Sequence, residues 1–326
     1  MEEIQDRMTK KNIVSIIIVN YNGKKLLRTI LESLKKSSFK SYETIILDNN
    51  STDGSQQLVK KQYSSARLVA NKKNLGYSGI NSALTHCRGK YILFLNNDME
   101  IDKNCIKELV EAIEQDSKIG IVAPRLINYY NKELKSNGTW VSRAFYNGHI
   151  CSGKVLKVIP YLGVGLIRKS IVDRFGYLFD KDYFIYAEDL DLGLRLRLLG
   201  YKAVFTPRAV LYHMHAITTK KSKSHKMTFL LERNLLITFF KVLSLKNILL
   251  FLPYVISMRI IALVKDILLF KFVNALSRVK AILWVIFNFN LINEKRKKLQ
   301  KMRKADDKFI LKVFSEKYLF KKRVLI

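Results

Sequence analysis

Short apolar runs alternate with helically spaced apolar residues along the first third of the chain. Residues 13–19 and 91–95 are continuous apolar runs, which is the pattern of strands buried on both faces. Between them, Leu27, Ile30 and Leu34 recur at helical spacing, and further strand and helix patterns follow in turn. This alternation predicts an α/β protein with a mostly parallel central sheet flanked by helices on both faces.

The pattern is less regular from residue 119 to residue 217. Residues 119–128 and 203–213 are predicted strands, and residues 163–176 are predicted to form a strand that leads into a short helix. Residues 187–200 are a predicted helix with acidic residues in its first turn and a glycine after its end.

After about Met227 the sequence becomes largely apolar, interrupted by single basic residues. Residues 247–264 contain one charge, Arg259, and one proline, Pro253, so this segment is a borderline membrane-spanning candidate. Basic residues that recur through a helical apolar pattern are more typical of amphipathic helices lying in the membrane interface. We therefore predict interfacial helices first and a spanning helix second, with a buried helical subdomain or a dimer surface as the alternative.

These changes in composition divide the chain into four predicted regions. A polar tail, residues 1–11, precedes the α/β domain at residues 12–217. Residues 218–295 form the predicted membrane-associating helical region, and residues 296–326 form a basic C-terminal tail. The basic run EKRKKLQKMRK at their junction would strengthen attachment to anionic lipid.

Charge and cysteine content narrow the classes of partner. The chain carries 58 Lys and Arg against 27 Asp and Glu, a net charge of +31, and residues 218–326 alone hold 25 basic and 6 acidic residues. Such an excess indicates a polyanionic neighbour. We do not predict nucleic acid as this polyanion, because the basic residues are interleaved with long aliphatic side chains. Three cysteines without a CxxC pair argue against a zinc site and fit a reducing compartment.

Polar side chains follow the predicted strands where each one ends. Asn20, Asp48 and Asp98 come directly after or at the end of apolar runs, and ligands of parallel sheets lie beyond the carboxyl ends of strands. The chain has neither a GxGxxG nor a Walker motif after its first strand, so a glycine cradle for phosphate is not expected. A divalent cation bound by Asp98 and Asn96 could neutralise a diphosphate instead, although turn formation explains an Asn-Asn-Asp sequence equally well.

Two further segments carry candidate chemistry. Glu188, Asp189 and Asp191 crowd the start of a predicted helix, where acids either complement the helix dipole or act as a base toward an incoming hydroxyl. His213, at the end of a predicted strand, is either structural or a further metal ligand, with His215 as a possible substitute.

Six ordered motifs give the chain a resemblance to a known family. SIIIVNYNG, ILDNNSTDGS, NLGYSGINSAL, LFLNND, FDKDYFIYAEDLDLGLRLRLLGY and VLYH occur in the order and approximate spacing of family 2 glycosyltransferases with the GT-A fold, over roughly residues 12–215. The chain most resembles the rhamnosyltransferase-like and galactofuranosyltransferase-like branch. The resemblance implies an inverting transfer of a sugar from a nucleotide-diphosphate donor to an acceptor hydroxyl, with Mg²⁺ or Mn²⁺ as cofactor.

The resemblance also implies roles for individual residues. Asp189 would be the catalytic base with Glu188 beside it, and Asp98, Asn96 and His213 would hold the metal. Asn96 stands where the family motif begins with aspartate, which implies weak, readily exchanged metal binding. The residues implied to bind the nucleotide sugar are Val19, Asn20, Tyr21, Asn22, Asp48, Asn74, Gly76, Asn81 and Asn97.

The predicted setting is the cytoplasmic face of the cell membrane, with the C-terminal helices on the membrane surface. Such an anchor suits an acceptor that is itself lipid-linked or part of a cell-envelope glycan. The alternative is a nonenzymatic membrane-binding or polyanion-binding protein built on a decayed transferase domain, which would leave the carboxylates at the strand ends without a role.

Overall fold

The structure is a computed structural model that describes residues 13–136, 138–150, 159, 163–214 and 224–315. Strands and helices alternate through the first half, as the sequence pattern predicts. The strands are β1 Val14–Asn20, β2 Tyr42–Asp48, β3 Arg67–Ala70, β4 Tyr91–Asn96, β5 Met99–Ile101, β6 Ile119–Asn128, β7 Leu134–Ser136, β8 Gly138–Val141, β9 Asn147–Ile150, β10 Gly165–Arg168 and β11 Lys202–His213.

Helices cover the sheet and continue alone after β11. They are α1 Lys24–Lys35, α2 Ser55–Gln62, a 3₁₀ helix Gly76–His86, α3 Cys105–Glu114, α4 Lys169–Phe175, α5 Glu188–Leu198, α6 Ser224–Val242, α7 Leu245–Leu268, α8 Phe272–Phe287, α9 Phe289–Lys301 and α10 Asp307–Leu311. Residues 81–89 have the sequence pattern of an ordinary helix that ends at a glycine, but Gly76–His86 forms a 3₁₀ helix instead.

One nine-stranded sheet forms the centre of the described residues, in the order β3-β2-β1-β4-β10-β6-β11-β5 with β7 paired to β6. The pairs β3-β2, β2-β1, β1-β4 and β6-β11 are parallel. Strand β10 runs antiparallel to both of its neighbours, and β5 and β7 are antiparallel edge additions. The predicted α/β class is therefore confirmed, and among the described residues the sheet is mixed, with four parallel and four antiparallel strand pairs.

The strand register aligns polar residues at one edge of this sheet. Asn20 lies opposite Asp48 in the β1-β2 pair, and Val19 lies opposite Asn96 in the β1-β4 pair. After Asn96 the chain turns into β5, which pairs antiparallel with the end of β11. Three separate strand ends and the end of β11 therefore meet in one region.

Two apolar cores lie on opposite faces of the sheet. One contains Leu27 and Ile30 of α1 together with Ile106 and Leu109 of α3. The other contains side chains of α5 and also reaches into the C-terminal helices, where Ile237 of α6 is fully buried. Burial of apolar area on both faces is the dominant stabilising contribution to such a layered fold.

Buried ion pairs join the first three C-terminal helices. Glu232 of α6 pairs with Arg278 of α8 and with Arg259 of α7, and Arg278 also pairs with Asp266 of α7 at 2.8 Å. Arg259 further donates a hydrogen bond to the carbonyl oxygen of Ala144 at 2.7 Å. Each charged group is thus paired after its removal from water, as buried charges require.

Helices α7 and α8 expose a broad apolar face. Helix α7 is long and apolar enough to cross a membrane, with a mean hydropathy of 2.0 and 28% of its most apolar window buried, while α8 and α9 together form a second such candidate bent by 66°. Helix α9 continues across the predicted boundary between the membrane-associating region and the C-terminal tail, at residues 295 and 296. The division of the chain into four regions stays a prediction. The exposed apolar side chains include Leu249, Ile256, Ile260, Leu268, Val273 and Phe287.

Candidate functional site

A chain of amide and carboxylate side chains links the ends of β1, β2 and β4. Asn20, fully buried, donates to Asp48 Oδ1 at 2.9 Å and accepts from Asn97 Nδ2 at 2.7 Å. Asp48 Oδ2 accepts from the backbone N–H of Ser51 at 2.8 Å and from Gln56 at 2.7 Å. These bonds fix the carboxylate of Asp48 and the turn at Asn97 relative to each other.

The loop after β1 follows the same edge. The carbonyl oxygen of Val19 accepts from the backbone N–H of Asn97 at 3.2 Å, and the Tyr21 side chain is 40% exposed. Asn22 has a φ of 47° and accepts from the backbone N–H of Thr52 at 2.8 Å. The predicted nucleotide-binding residues 19–22 therefore lie beside Asp48 and Asn97, with Tyr21 open to solvent.

Asp98 and His213 are brought together by the pairing of β5 with β11. His213 lies opposite Met99 in that pair, and the backbone N–H of Met214 donates to the carbonyl oxygen of Asp98 at 2.9 Å. The imidazole Nε2 of His213 lies 3.1 Å from both carboxylate oxygens of Asp98. His215, the predicted substitute ligand, lies outside the described residues.

These two side chains fit a divalent cation by the chemistry of their donor atoms. A carboxylate and an imidazole that already converge at 3.1 Å are suitable ligands for Mn²⁺, and carboxylates are preferred by Mg²⁺. Within the described residues, His, Cys, Asp and Glu side chains form no cluster of three or more suited to a metal, so the set is sparse. Asn96 donates its amide N–H to the Tyr77 hydroxyl at 2.7 Å, which leaves the Asn96 carbonyl oxygen outside that bond.

Glu188 and Asp189 begin α5 as a buried acidic pair. Asp189 Oδ2 accepts from the Thr139 hydroxyl at 3.3 Å, while Glu188 Oε2 is buried without a hydrogen-bond partner among the described residues. Burial, followed by the negative charge of Asp189, raises the pKa of Glu188 to about 8. Near neutral pH, Glu188 is thus mostly protonated.

Tyr77 connects this acidic pair with the end of β4. Burial raises the pKa of the Tyr77 phenol, and the nearby charges of Glu188, Asp98 and Asp189 raise it further. The Tyr77 phenol accepts a hydrogen bond from Asn96 and lies near the charges of Asp98 and Asp189. Two predicted metal ligands and the predicted base therefore surround one phenol. The sequence motif NLGYSG contains Tyr77, but an aromatic residue in a loop does not by itself indicate such a position.

The loop before the 3₁₀ helix packs against the segment that precedes α5. Asn74 accepts from the backbone N–H of Gly76 at 2.9 Å, and Tyr77 donates its backbone N–H to the carbonyl oxygen of Phe184 at 2.8 Å. Gly76 has a φ of 61°, and a Cβ there would lie 2.0 Å from that same carbonyl oxygen, so only glycine allows this approach. Asn74 and Gly76 therefore shape the wall between the strand ends and the acidic pair.

Asn81 differs from the other predicted nucleotide-sugar residues in its contacts. Its amide donates to the carbonyl oxygen of Phe179 at 2.7 Å and accepts from the backbone N–H groups of Leu178 and Phe179 at 2.9 and 3.3 Å. These bonds hold the segment before α5 and occupy both ends of the amide.

Two arginines of α5 have structural partners. Arg195 is fully buried, donates to Asp191 Oδ2 at 2.7 Å and lies over the rings of Phe175 and Tyr177. Arg197 donates to the carbonyl oxygen of Phe309. These contacts indicate a structural role for both arginines.

The sequence pattern did not indicate two other residues at the site. Thr139, on β8, donates to Asp189, and Asn234, on α6, donates to backbone carbonyl groups immediately before Glu188. For Asn234 a signal exists: Asn234, Thr238 and Lys241 are polar residues at helical spacing within an apolar helix.

Comparison with known proteins identifies a family and several relatives that this chain resembles. The sequence model of glycosyl transferase family 2 matches residues 15–176. The chain is 24% identical over 257 residues to an N-acetylglucosaminyl-diphospho-decaprenol L-rhamnosyltransferase of Mycobacterium tuberculosis, covering 67% of this chain and 83% of the relative. It is 30% identical over 192 residues to the UDP-Glc:alpha-D-GlcNAc-diphosphoundecaprenol beta-1,3-glucosyltransferase WfaP of Escherichia coli, covering 57% and 73%.

A solved structure with a similar fold extends over nearly the whole chain. The mannosyltransferase PcManGT from Pyrobaculum calidifontis, in complex with GDP-Man and Mn²⁺, aligns with a TM-score of 0.54 over 97% of this chain and 89% of that chain. The sequence identity is 16%, so the likeness concerns the fold alone.

Proposed function

This chain belongs to glycosyl transferase family 2 and is a glycosyltransferase with the GT-A fold, and from that premise we propose an inverting transfer from a nucleotide-diphosphate sugar. The acceptor would be a hydroxyl of a lipid-linked or cell-envelope glycan. The observation that carries this proposal is the arrangement of the Asp98–His213 pair and the Glu188–Asp189 pair around Tyr77.

The strand edge would hold the donor. Asp98, His213 and the Asn96 carbonyl oxygen would hold a divalent cation, and residues 19–22 with Asp48 and Asn97 would hold the nucleoside. When bound, the cation would supply positive charge that stabilises the departing nucleotide diphosphate. Asn96 contributes no charge where an aspartate would contribute one, so we expect weak metal binding that the diphosphate strengthens.

Asp189 would act as the general base. Because Glu188 holds its proton until about pH 8, we assign to Asp189 the role of accepting the proton of the acceptor hydroxyl. The acceptor oxygen then forms its bond to the anomeric carbon as the bond from that carbon to the diphosphate oxygen breaks. Attack from the face opposite the diphosphate inverts the anomeric configuration. The Thr139 hydroxyl, 3.3 Å from Asp189 Oδ2, would hold the carboxylate in place.

The C-terminal helices support a site of action at a membrane surface. The exposed apolar side chains of α7 and α8 are accompanied by exposed basic residues, including Lys246, Lys265, Lys271 and Lys280. Apolar burial in the interface together with attraction to anionic lipid is the expected mode of binding for such helices. Two relatives are described as acting on diphospho-decaprenol and diphosphoundecaprenol glycans, which supports a lipid-linked acceptor here.

The cytoplasmic face is the proposed side of the membrane. Cys87 and Cys105 are free and buried, which fits a reducing compartment.

The donor can be identified by thermal stabilisation. Purified protein is heated with UDP-, GDP- and dTDP-sugars, each with Mn²⁺ or with EDTA. We expect at least one nucleotide sugar to raise Tm in Mn²⁺ and not in EDTA, because ligands that bind only the folded state stabilise it. If no nucleotide sugar changes Tm under either condition, the nonenzymatic alternative is favoured.

A further inference from the structure

The segment immediately before the acidic pair has an unusual backbone. Phe184, Tyr186 and Ala187 have φ values of 29°, 74° and 62°, in the left-handed region that side chains with a Cβ rarely occupy. Such conformations cost free energy and persist only where the surroundings hold them. Since Ala187 is followed directly by Glu188 and Asp189, this backbone determines where both carboxyl groups lie.

Asn234 of α6 holds this backbone directly. It is fully buried, and its amide Nδ2 donates to the carbonyl oxygens of Ile185 at 3.0 Å and Tyr186 at 2.7 Å. Its Oδ1 accepts from Arg233 Nε at 3.0 Å, which fixes the orientation of the amide. Both donor hydrogens are therefore directed at two consecutive carbonyl groups of the strained segment.

Other residues on the same helix bind the two ends of that segment. The Thr238 hydroxyl lies 2.7 Å from the Tyr183 hydroxyl. Lys241, fully buried, pairs with Asp180 at 2.8 Å and with Asp191 at 2.7 Å. Residues 234, 238 and 241 share one face of α6, so a single helix face contacts the chain from Asp180 to Asp191.

From this geometry we propose that α6 completes the active site and that Asn234 is a positioning residue for the acidic pair. Asn234 keeps residues 185 and 186 in the conformation that places the Asp189 carboxylate against the acceptor hydroxyl. This inference depends on the proposed function for its catalytic consequence, and it lies outside the residues matched by the family model, which end at 176.

The test uses Asn234→Asp in the full-length protein. Aspartate keeps the size and the acceptor for Arg233 but loses both donors to the carbonyl groups. Asn288→Asp is the matched control, because the Asn288 amide also donates to a backbone carbonyl, that of Trp284 at 2.8 Å. Hydrogen exchange of residues 183–191 is measured first, without substrate. Binding of UDP with Mn²⁺ and turnover of the nucleotide sugar selected by thermal stabilisation are measured next.

We expect about 10-fold faster exchange over residues 183–191 in Asn234→Asp, with unchanged exchange in β1 and β4. Affinity for UDP with Mn²⁺ should stay within about 2-fold, while kcat falls about 100-fold, as for a small misplacement of a reacting group. Asn288→Asp should change none of these quantities. If Asn234→Asp does not fold, the neutral variant Asn234→Ser should show the same order of effects.

Two results would overturn the inference. One is wild-type exchange over residues 183–191 together with wild-type kcat. The other is a fall in kcat that only follows the loss of folded protein and of UDP affinity, which would indicate a purely structural role. A wild-type protein that binds no nucleotide contradicts the proposed function instead, and the exchange of residues 183–191 still decides whether Asn234 holds the segment.

Discussion

The imidazole Nε2 of His213 lies 3.1 Å from each carboxylate oxygen of Asp98, although 115 positions separate the two residues along the chain. The contact follows from the fold, because the short strand β5 pairs with the end of β11 and places His213 opposite Met99. The carboxyl ends of β1, β2 and β4 lie in register beside it. The sheet therefore brings the predicted metal residues Asp98 and His213 close to the predicted nucleotide residues at the ends of β1, β2 and β4.

Replacing the proposed base should abolish transfer and spare donor binding. In Asp189→Asn the amide cannot accept the acceptor proton, so we expect sugar transfer to fall by about 10²- to 10⁴-fold. The measurement is the initial rate with the donor selected by thermal stabilisation. Asp173→Asn is the control: Asp173 is an exposed acid that pairs with Lys169 at 2.8 Å, so this variant should transfer sugar at the wild-type rate. Full activity of Asp189→Asn would show that the base is another residue.

Glu188 should make stability depend on pH. Its pKa is about 8 in the folded protein, raised by burial and by the negative charge of Asp189, against the ordinary value of 4.5 in an unfolded chain. Between these values the unfolded state releases a proton that the folded state keeps, so the free energy of unfolding should fall with rising pH. This contribution is fully present below pH 4.5 and is lost as pH rises through 8.

Urea unfolding from pH 4.5 to 8.5 checks this dependence. Glu188→Gln removes the titration, so its unfolding free energy should decline less with pH than that of the wild type. Glu111→Gln, at an exposed residue that pairs with Lys107 at 3.8 Å, is the control and should keep the wild-type slope. Equal slopes for Glu188→Gln and wild type would refute the assignment.

The ion pairs beneath α5 should be needed for folding. Burial alone would raise the pKa of Asp180, but the charges of Lys241 and Lys295 hold it below its usual range. In Lys241→Met, Asp180 keeps Lys295 and Asp191 keeps Arg195. We therefore expect a loss of about 3 kcal/mol, at the lower end of the range for a broken buried pair. Lys202→Met, which breaks an exposed pair with Asp116, should cost less than about 1 kcal/mol by the same urea measurement.

The apolar face of α7, together with Phe270 just after its end, should carry membrane binding. Ile260 and Phe270 are 55% and 81% exposed, and burying each in the interface would contribute on the order of 1.5–3 kcal/mol. For the double variant Ile260→Ser/Phe270→Ser we expect at least about 10-fold weaker binding to anionic vesicles, measured by cosedimentation. Tyr130→Ser, at a residue 73% exposed on the α/β region, should bind like the wild type. Equal binding of all three proteins would rule out this face as the membrane surface.

Point substitutions test membrane binding more directly than truncation of the C-terminal helices. A truncation from about Met227 also removes Asn234 and Lys241, which contact the segment before α5 and its buried acids. A change in solubility of such a fragment would therefore report on folding as well as on membrane attachment.

The strands that line the site could be predicted because their apolar runs are long and continuous. Strand β5 could not, because it has three residues and exists through pairing with β11, which lies more than a hundred positions away. The short strands β7, β8 and β9 carry too few residues for a period to be visible, and Thr139 was missed with them. The local hydrophobic pattern thus predicts the long strands in the first half of the sheet better than the short strands that follow them.

Residue type alone also could not distinguish a ligand contact from a backbone contact. Asn81 and Asn20 lie in similar motifs, yet Asn81 bonds the backbone of Leu178 and Phe179 while Asn20 bonds the side chains of Asp48 and Asn97. The sequence pattern assigns the polar residues of α6 to an interfacial helix, since it does not show that Asp180 and Asp191, distant along the chain, are partners of Lys241.

The central claim is that the strand edge and the acidic pair form one metal-dependent nucleotide-sugar site with divided roles. Calorimetric titration of the nucleotide diphosphate of the selected donor, in Mn²⁺, tests it most directly with wild type, Asp98→Asn and Asp189→Asn. The account predicts at least about 10-fold weaker binding for Asp98→Asn, the same loss for wild type in EDTA, and binding within about 2-fold of wild type for Asp189→Asn. Undiminished binding by Asp98→Asn in Mn²⁺ would contradict it.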